Sequence, residues 1–137
     1  MPDSDDCPTD DKKIEDQLRQ ARQAISDAIG ARDAELSDVV VVNRLYYACF
    51  HAAKAALYDR GYDPGSHGGV LSLFGSEVVM EDDVPRERGR LLNRLSDLRK
   101  QGDYGYGTID RDIDVFVSDT QQFVDEIEEL CIESDVY

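Results

Sequence analysis

The chain has 137 residues, the length of a single domain, and carries 30 acidic against 15 basic residues for a formal net charge of −15. Its hydrophobic share of 41% argues for a packed core rather than a disordered acidic chain. A chain of this length buries roughly two thirds of its unfolded surface, so it needs neither disulfide nor metal to fold. The charge excludes broad, non-specific binding to nucleic acid or anionic lipid, both of which require a basic surface.

The kind of charge is informative. Eleven of the basic residues are Arg and four are Lys, while 21 of the acidic residues are Asp and nine are Glu. With a pI near 4.3 this composition looks like that of a protein from a salt-loving organism, where surface carboxylates hold water and counter-ions and their repulsion is screened; the alternative is an ordinary acidic protein. The three cysteines, Cys7, Cys49 and Cys131, include no C-x-x-C pair and suggest neither a zinc site nor a disulfide framework, which fits a reducing cytoplasm. No cofactor is called for, since there is no Walker A loop, G-x-G-x-x-G or H-E-x-x-H, and only two histidines, His51 and His67. No apolar run approaches the length of about 18 residues that spans a bilayer.

Residues 1–11, with five aspartates, Pro2 and Pro8, read as a disordered acidic tail and not as a signal peptide. Residues 12–137 read as one all-α bundle of four to five antiparallel helices. The first is expected over Lys12 to Arg32, where Ile14, Leu18, Ala21, Ile25 and Ala28 recur at helical spacing, with Asp10 or Asp11 as its cap. The second starts at Ser37 or Asp38. Its apolar stripe, from Val42 through Leu45, Cys49 and Phe50 to Leu57, runs beside an aromatic-polar line of Tyr47, His51, Lys54 and Tyr58, which suits the middle of a bundle. Gly61 to Gly69 reads as a turn, and Val70 to Met80 as a short helix because no strand partner is available. Pro85 suits the first turn of a helix running to about Gln101. Gly102 to Gly107 reads as a glycine-tyrosine loop, and Asp110 as the start of the last helix.

The charge is uneven. Arg86, Arg88, Arg90, Arg94, Arg99 and Lys100 face only Glu87 and Asp97 in the same fifteen residues, a local charge of +4 on a remainder of −19. At about 100° per residue, Arg86, Arg90 and Arg94 form one outward strip. Arg88 and Arg99 fall on the side of Leu91, Leu92, Leu95 and Leu98, where an arginine needs partners. Arg99 adjoins the glycine-tyrosine loop, and its five-donor fork suits a phosphate or nucleotide as well as a buried ion pair to Asp97 or Asp103.

Three blocks occur in order: N-R-L-Y-Y-A-C-F-H-A-A-K-A-A-L at residues 43–57, S-H-G-G-V-L-S-L-F-G at 66–75, and L-L-N-R-L-S-D-L-R-K-Q-G-D-Y-G-Y at 91–106. Their combination resembles the HEPN domain family, in its small stand-alone prokaryotic branch, over roughly residues 12–132. The resemblance implies a compact helical bundle, usually a homodimer. It implies kinship with metal-independent ribonucleases, several of them toxins neutralised by a minimal nucleotidyltransferase. It also implies an active motif of Arg, four to six residues, then His, often followed by x-Y.

On that motif Arg99 takes the arginine position, Tyr104 stands where the histidine would be, and Tyr106 takes the x-Y position. A tyrosine, with pKa near 10, is a poor general base at neutral pH, so acid–base gains of about 10² to 10⁴ are at stake. The expected site is therefore Arg99 on phosphate, Asp103 orienting it, and Tyr104 and Tyr106 lining the cleft. Arg94 and Lys100 would assist binding. Arg44, Tyr47 and His51 of the second helix would support the site from behind, and Tyr106 is the position a partner nucleotidyltransferase would modify. Three readings stay open: a module binding nucleotide, RNA or a partner protein with weak or lost catalysis, an active ribonuclease toxin, and a purely structural helical dimer.

Overall fold

The computed structural model describes residues 6–80, 83–103 and 112–134. They form five α-helices, α1 (Asp6–Asp33), α2 (Asp38–Asp59), α3 (His67–Phe74), α4 (Arg86–Asp103) and α5 (Ile113–Ser134), with a π-helical turn, Gly75–Val79, continuing α3. No strand occurs among the described residues, and the chain is an all-α bundle. None of these helices is long and apolar enough to cross a membrane.

α1 begins at Asp6, so it takes in residues 6–11, which the sequence had placed in the acidic tail, and Asp10 and Asp11 lie inside the helix rather than capping it. Pro8 falls in the first turn, where no backbone N–H is needed inside the helix. α1 runs past Gly30 and ends in a Schellman motif. Leu36 N–H donates to Ala31 O and Glu35 N–H to Arg32 O, both at 2.9 Å, with Glu35 left-handed at φ 59°. α2 then returns antiparallel along α1 from Ser37, which holds the N-cap position through its backbone alone. α2 closes on a second Schellman motif, in which Tyr62 N–H reaches Leu57 O and Gly61 supplies the left-handed residue at φ 89°.

α2 packs against every other helix. Twelve of its 22 residues are buried, including Ala48, Ala52 and Ala55 on flanks the sequence stripe did not include. A helix that is apolar nearly all round is a core helix, and its alanines let the neighbours come close. Cys49, on the apolar stripe of α2, is fully buried, with its thiol 3.9 Å from Thr120 Oγ1 and pushed up to about 12 by burial.

The expected turn at 61–69 is shorter than the sequence suggested, because Ser66 Oγ accepts from Gly69 N–H at 3.0 Å and starts α3 at His67. The widened turn after α3, closed by Met80 N–H on Gly75 O, brings the successive residues Val78 and Val79 both into the core. Gly89 of α4 lies so close to Val79 that a Cβ there would meet Cγ2 at 3.3 Å. α5 starts at Ile113, where Asp112 Oδ1 accepts from Asp114 N–H at 2.9 Å; Asp110, the expected start, lies outside the described residues. Arginines tie α5 to the bundle. Arg22 pairs with Asp125 and Glu128, Arg32 with Asp114, and Arg88 with Glu126.

Candidate functional site

The arginine-rich helix α4 divides as its wheel predicts. Arg88 turns inward and grips Glu126 with two bonds, Nε–Oε1 at 2.7 Å and Nη2–Oε2 at 3.1 Å, while its side chain is only 13% exposed. Arg86, Arg90 and Arg94 are exposed. Arg90 and Arg94 line a groove of about 540 Å³ between α4 and α5, together with Asp97 and Asp119. Asp97 thus belongs to the outward groove, and Lys100 is exposed at the end of the helix.

Arg99 faces α2. Its guanidinium carbon lies 4.8 Å from the ring centre of Tyr46 and 5.8 Å from that of Tyr47. Two further cations sit on ring faces of the same helix. Arg44 covers Tyr47 at 5.2 Å, and Lys54 lies 5.8 Å from Phe50 and 5.6 Å from Tyr58. Among the described residues neither Arg44 nor Lys54 forms an ion pair; Arg44 Nε and Nη2 instead donate to Asn43 Oδ1. In a chain with twice as many acids as bases, this is a local pool of positive charge held on π faces.

The structure adds a residue to which the sequence analysis gave no role. His67, exposed at the first position of α3, stacks on Phe50 with ring centres 4.2 Å apart and planes at 18°. Its Nδ1 lies 2.9 Å from the hydroxyl of Tyr46. Tyr46 is fully buried. Burial raises the Tyr46 phenol above its ordinary value, against the pull of Arg99. Burial, then Arg99 and Lys54, lower His67 below the usual histidine value, so the imidazole is neutral at pH 7. Tyr46 thereby links Arg99 and His67, which come from two helices far apart in sequence. The block S-H-G-G marks the start of α3, but nothing in its spacing tells that this histidine folds onto α2.

Of the expected site residues, Arg99, Arg44, Tyr47 and His51 fall in or beside this cluster. His51 is half-buried, and its Nδ1 lies 2.7 Å from Gln17 Oε1 of α1. Burial, with Lys54 and Arg44, lowers it as well. A shallow cavity of about 290 Å³ opens beside Arg44, Tyr47 and His51. Arg94 is not brought to Arg99, being on the α5 side of α4. Asp103 ends α4, but its side chain, like Tyr104 and Tyr106, lies outside the described residues. Among the described residues no three His, Cys, Asp or Glu side chains gather as a metal site. Chemically the cluster offers a guanidinium on aromatic rings, a second nearby cation and an exposed imidazole, a set suited to a phosphate oxygen.

The HEPN domain description matches residues 14–130. A UPF0332 protein of Thermotoga maritima is 34% identical over 123 residues, covering 88% of this chain and 92% of that protein. A UPF0332 protein of Archaeoglobus fulgidus is 32% identical over 117 residues, covering 82% and 90%. The protein named "Putative toxin MJ0605" of Methanocaldococcus jannaschii is 34% identical over 90 residues, covering 63% of this chain and 65% of its own length. With a match that spans most of the bundle and includes every residue of the cluster, the chain belongs to the HEPN domain family.

Proposed function

We propose that this chain is a toxin-type HEPN module of a pair with a nucleotidyltransferase, working as a cytoplasmic homodimer and binding RNA or nucleotide phosphate through Arg99. The observation that carries this reading is the pool of Arg44, Lys54 and Arg99 on the aromatic faces of α2, beside His67, in a chain of net charge −15. The toxin-like role draws support from family membership and from the names of two Methanocaldococcus jannaschii relatives. A local guanidinium on aromatic rings suits a single-stranded segment, where a phosphate meets a cation and a base meets a π face.

The test is fluorescence anisotropy with a labelled single-stranded RNA, at low salt and in concentrated KCl. Arg99→Ala should weaken binding at least tenfold, whereas Arg94→Ala, on the opposite side of α4, should change it less than threefold. Equal binding by wild type and Arg99→Ala would refute the reading and leave a structural bundle. Co-purification with a nucleotidyltransferase encoded next to the gene, compared with the same experiment on Arg99→Ala, tests the pairing separately.

A further inference from the structure

The cavity of about 290 Å³ between α1 and α2 lies at the small end of ligand pockets, the scale of one flat ring system. Its α2 side carries Arg44, Tyr47 and His51, and its α1 side Gln20, Gln23 and Asp27. Among the described residues this lining keeps unused bonding capacity. Arg44 donates from Nε and Nη2 to Asn43 Oδ1, at 3.0 and 2.7 Å, which leaves Nη1 for another acceptor. Asp27 Oδ1 accepts from Gln23 Nε2 at 3.0 Å, which leaves Oδ2 for another donor. His51 Nδ1 donates to Gln17 Oε1 at 2.7 Å, which fixes that ring in the wall. Arg44 and Asp27 line the same cavity from different helices without forming an ion pair with each other. A cation and a carboxylate so placed leave room for a group that offers acceptors to one and donors to the other. Tyr47 joins the cavity to the Arg99 site, because its ring lies in the cavity wall, 5.2 Å from the Arg44 guanidinium and 5.8 Å from that of Arg99. In a nucleotide one sugar joins base and phosphate, so a strand whose phosphate meets Arg99 has a base within reach of the cavity.

We infer that the α1–α2 cavity is a base-specific subsite for guanine, beside the phosphate site at Arg99. This rests on the phosphate-binding reading above. Guanine presents N1–H and the 2-amino group on one edge, and O6 and N7 on the next. An ionised carboxylate has two oxygens and only accepts, so Asp27 takes the donor pair. Arg44 donates to O6 and N7, the pairing by which a guanidinium most often reads guanine. The other bases match the lining less well. Adenine turns a ring acceptor, N1, towards the carboxylate, and uracil has one ring N–H between two carbonyls. Cytosine crowds its donor and its acceptors onto one edge, which calls for a cation and a carboxylate side by side, and Arg44 and Asp27 are not so placed. The rings of Tyr47 and His51 give a flat base an aromatic wall.

The experiment uses the full chain and four short RNAs of equal length, uridine throughout except at the centre, which is guanosine, adenosine, cytidine or uridine, with binding read by fluorescence anisotropy. Wild type should hold the guanosine strand at least about tenfold more tightly than the other three, the scale of one bidentate base contact. Inosine at the centre, which lacks the 2-amino group, should fall between. Asp27→Ala and Asp27→Asn should bring the guanosine strand to the level of the all-uridine strand and leave the other strands within about twofold of wild type, since Asp27 is exposed and its loss does not disturb the core. Arg99→Ala should weaken all four strands alike. Equal binding of the four strands by wild type, or a guanosine preference that survives both Asp27 variants, overturns the inference while the phosphate reading stands. If wild type binds no strand, the phosphate reading falls, and calorimetry with GMP and AMP decides the cavity by itself. A GMP preference that Asp27→Ala removes upholds the subsite for a free nucleotide, and no preference overturns it.

Discussion

Replacing Tyr46 by phenylalanine removes one oxygen from the centre of the bundle and leaves the ring in place. The stacks on Phe50, Tyr47 and His67 and the platform under Arg99 survive, and no cavity larger than a hydroxyl opens. One partner, His67, loses its bond; it is exposed, so its Nδ1 recovers a water and the loss is about 1 kcal/mol. That is roughly 3–4 °C in Tm for a domain of this size. Urea denaturation of Tyr46→Phe, His67→Ala and the double variant provides the check, because residues sharing a hydrogen bond couple. A coupling of at least about 0.5 kcal/mol is expected. A Tyr46→Phe variant as stable as wild type, or strictly additive losses, would refute the linking role given to this hydroxyl.

Four other outcomes follow from the same geometry. His51 and His67 are held below the ordinary histidine value, so the folded state binds their protons less readily than the unfolded chain. The stability they contribute is complete above about pH 6.5 and is lost as pH falls below it, and a His51→Asn, His67→Asn double variant should flatten that part of the Tm–pH curve. Glu126→Ala leaves the inward-turned Arg88 with only Gln122 Oε1 as side-chain acceptor and should cost about 1.5–3 kcal/mol by urea denaturation; a loss under 0.5 kcal/mol would mean that water replaces the pair. At the two Schellman turns the substitutions should act oppositely. Glu35→Gly relieves a left-handed non-glycine residue and should gain about 0.5–1 kcal/mol, and Gly61→Ala should cost at least about 1 kcal/mol. Finally, the surplus of carboxylates should make Tm climb with KCl as the screening length falls from about 10 Å at 0.1 M to about 3 Å at 1 M; a flat response would remove the reading of the composition as an adaptation to salt.

The amino-acid pattern alone determined the helical class, the central place of α2 and the division of the arginines on α4, because each of these depends on residues three or four apart along one helix. Val42, Leu45, Cys49 and Phe50 can share a face only on a helix, and Arg88 could turn towards the leucines only if an acid from elsewhere met it. The α1 boundary was read six residues too late, because prolines and aspartates suggest a tail although a first turn tolerates both. Tertiary structure alone decided that Glu126 is the acid for Arg88, that Arg94 and Arg99 serve different faces, and that His67 and Arg99 meet on the buried ring of Tyr46. Those contacts link residues tens of positions apart, and they exist only because α2 is packed on all sides and brings α3 and α4 onto adjacent flanks of one helix.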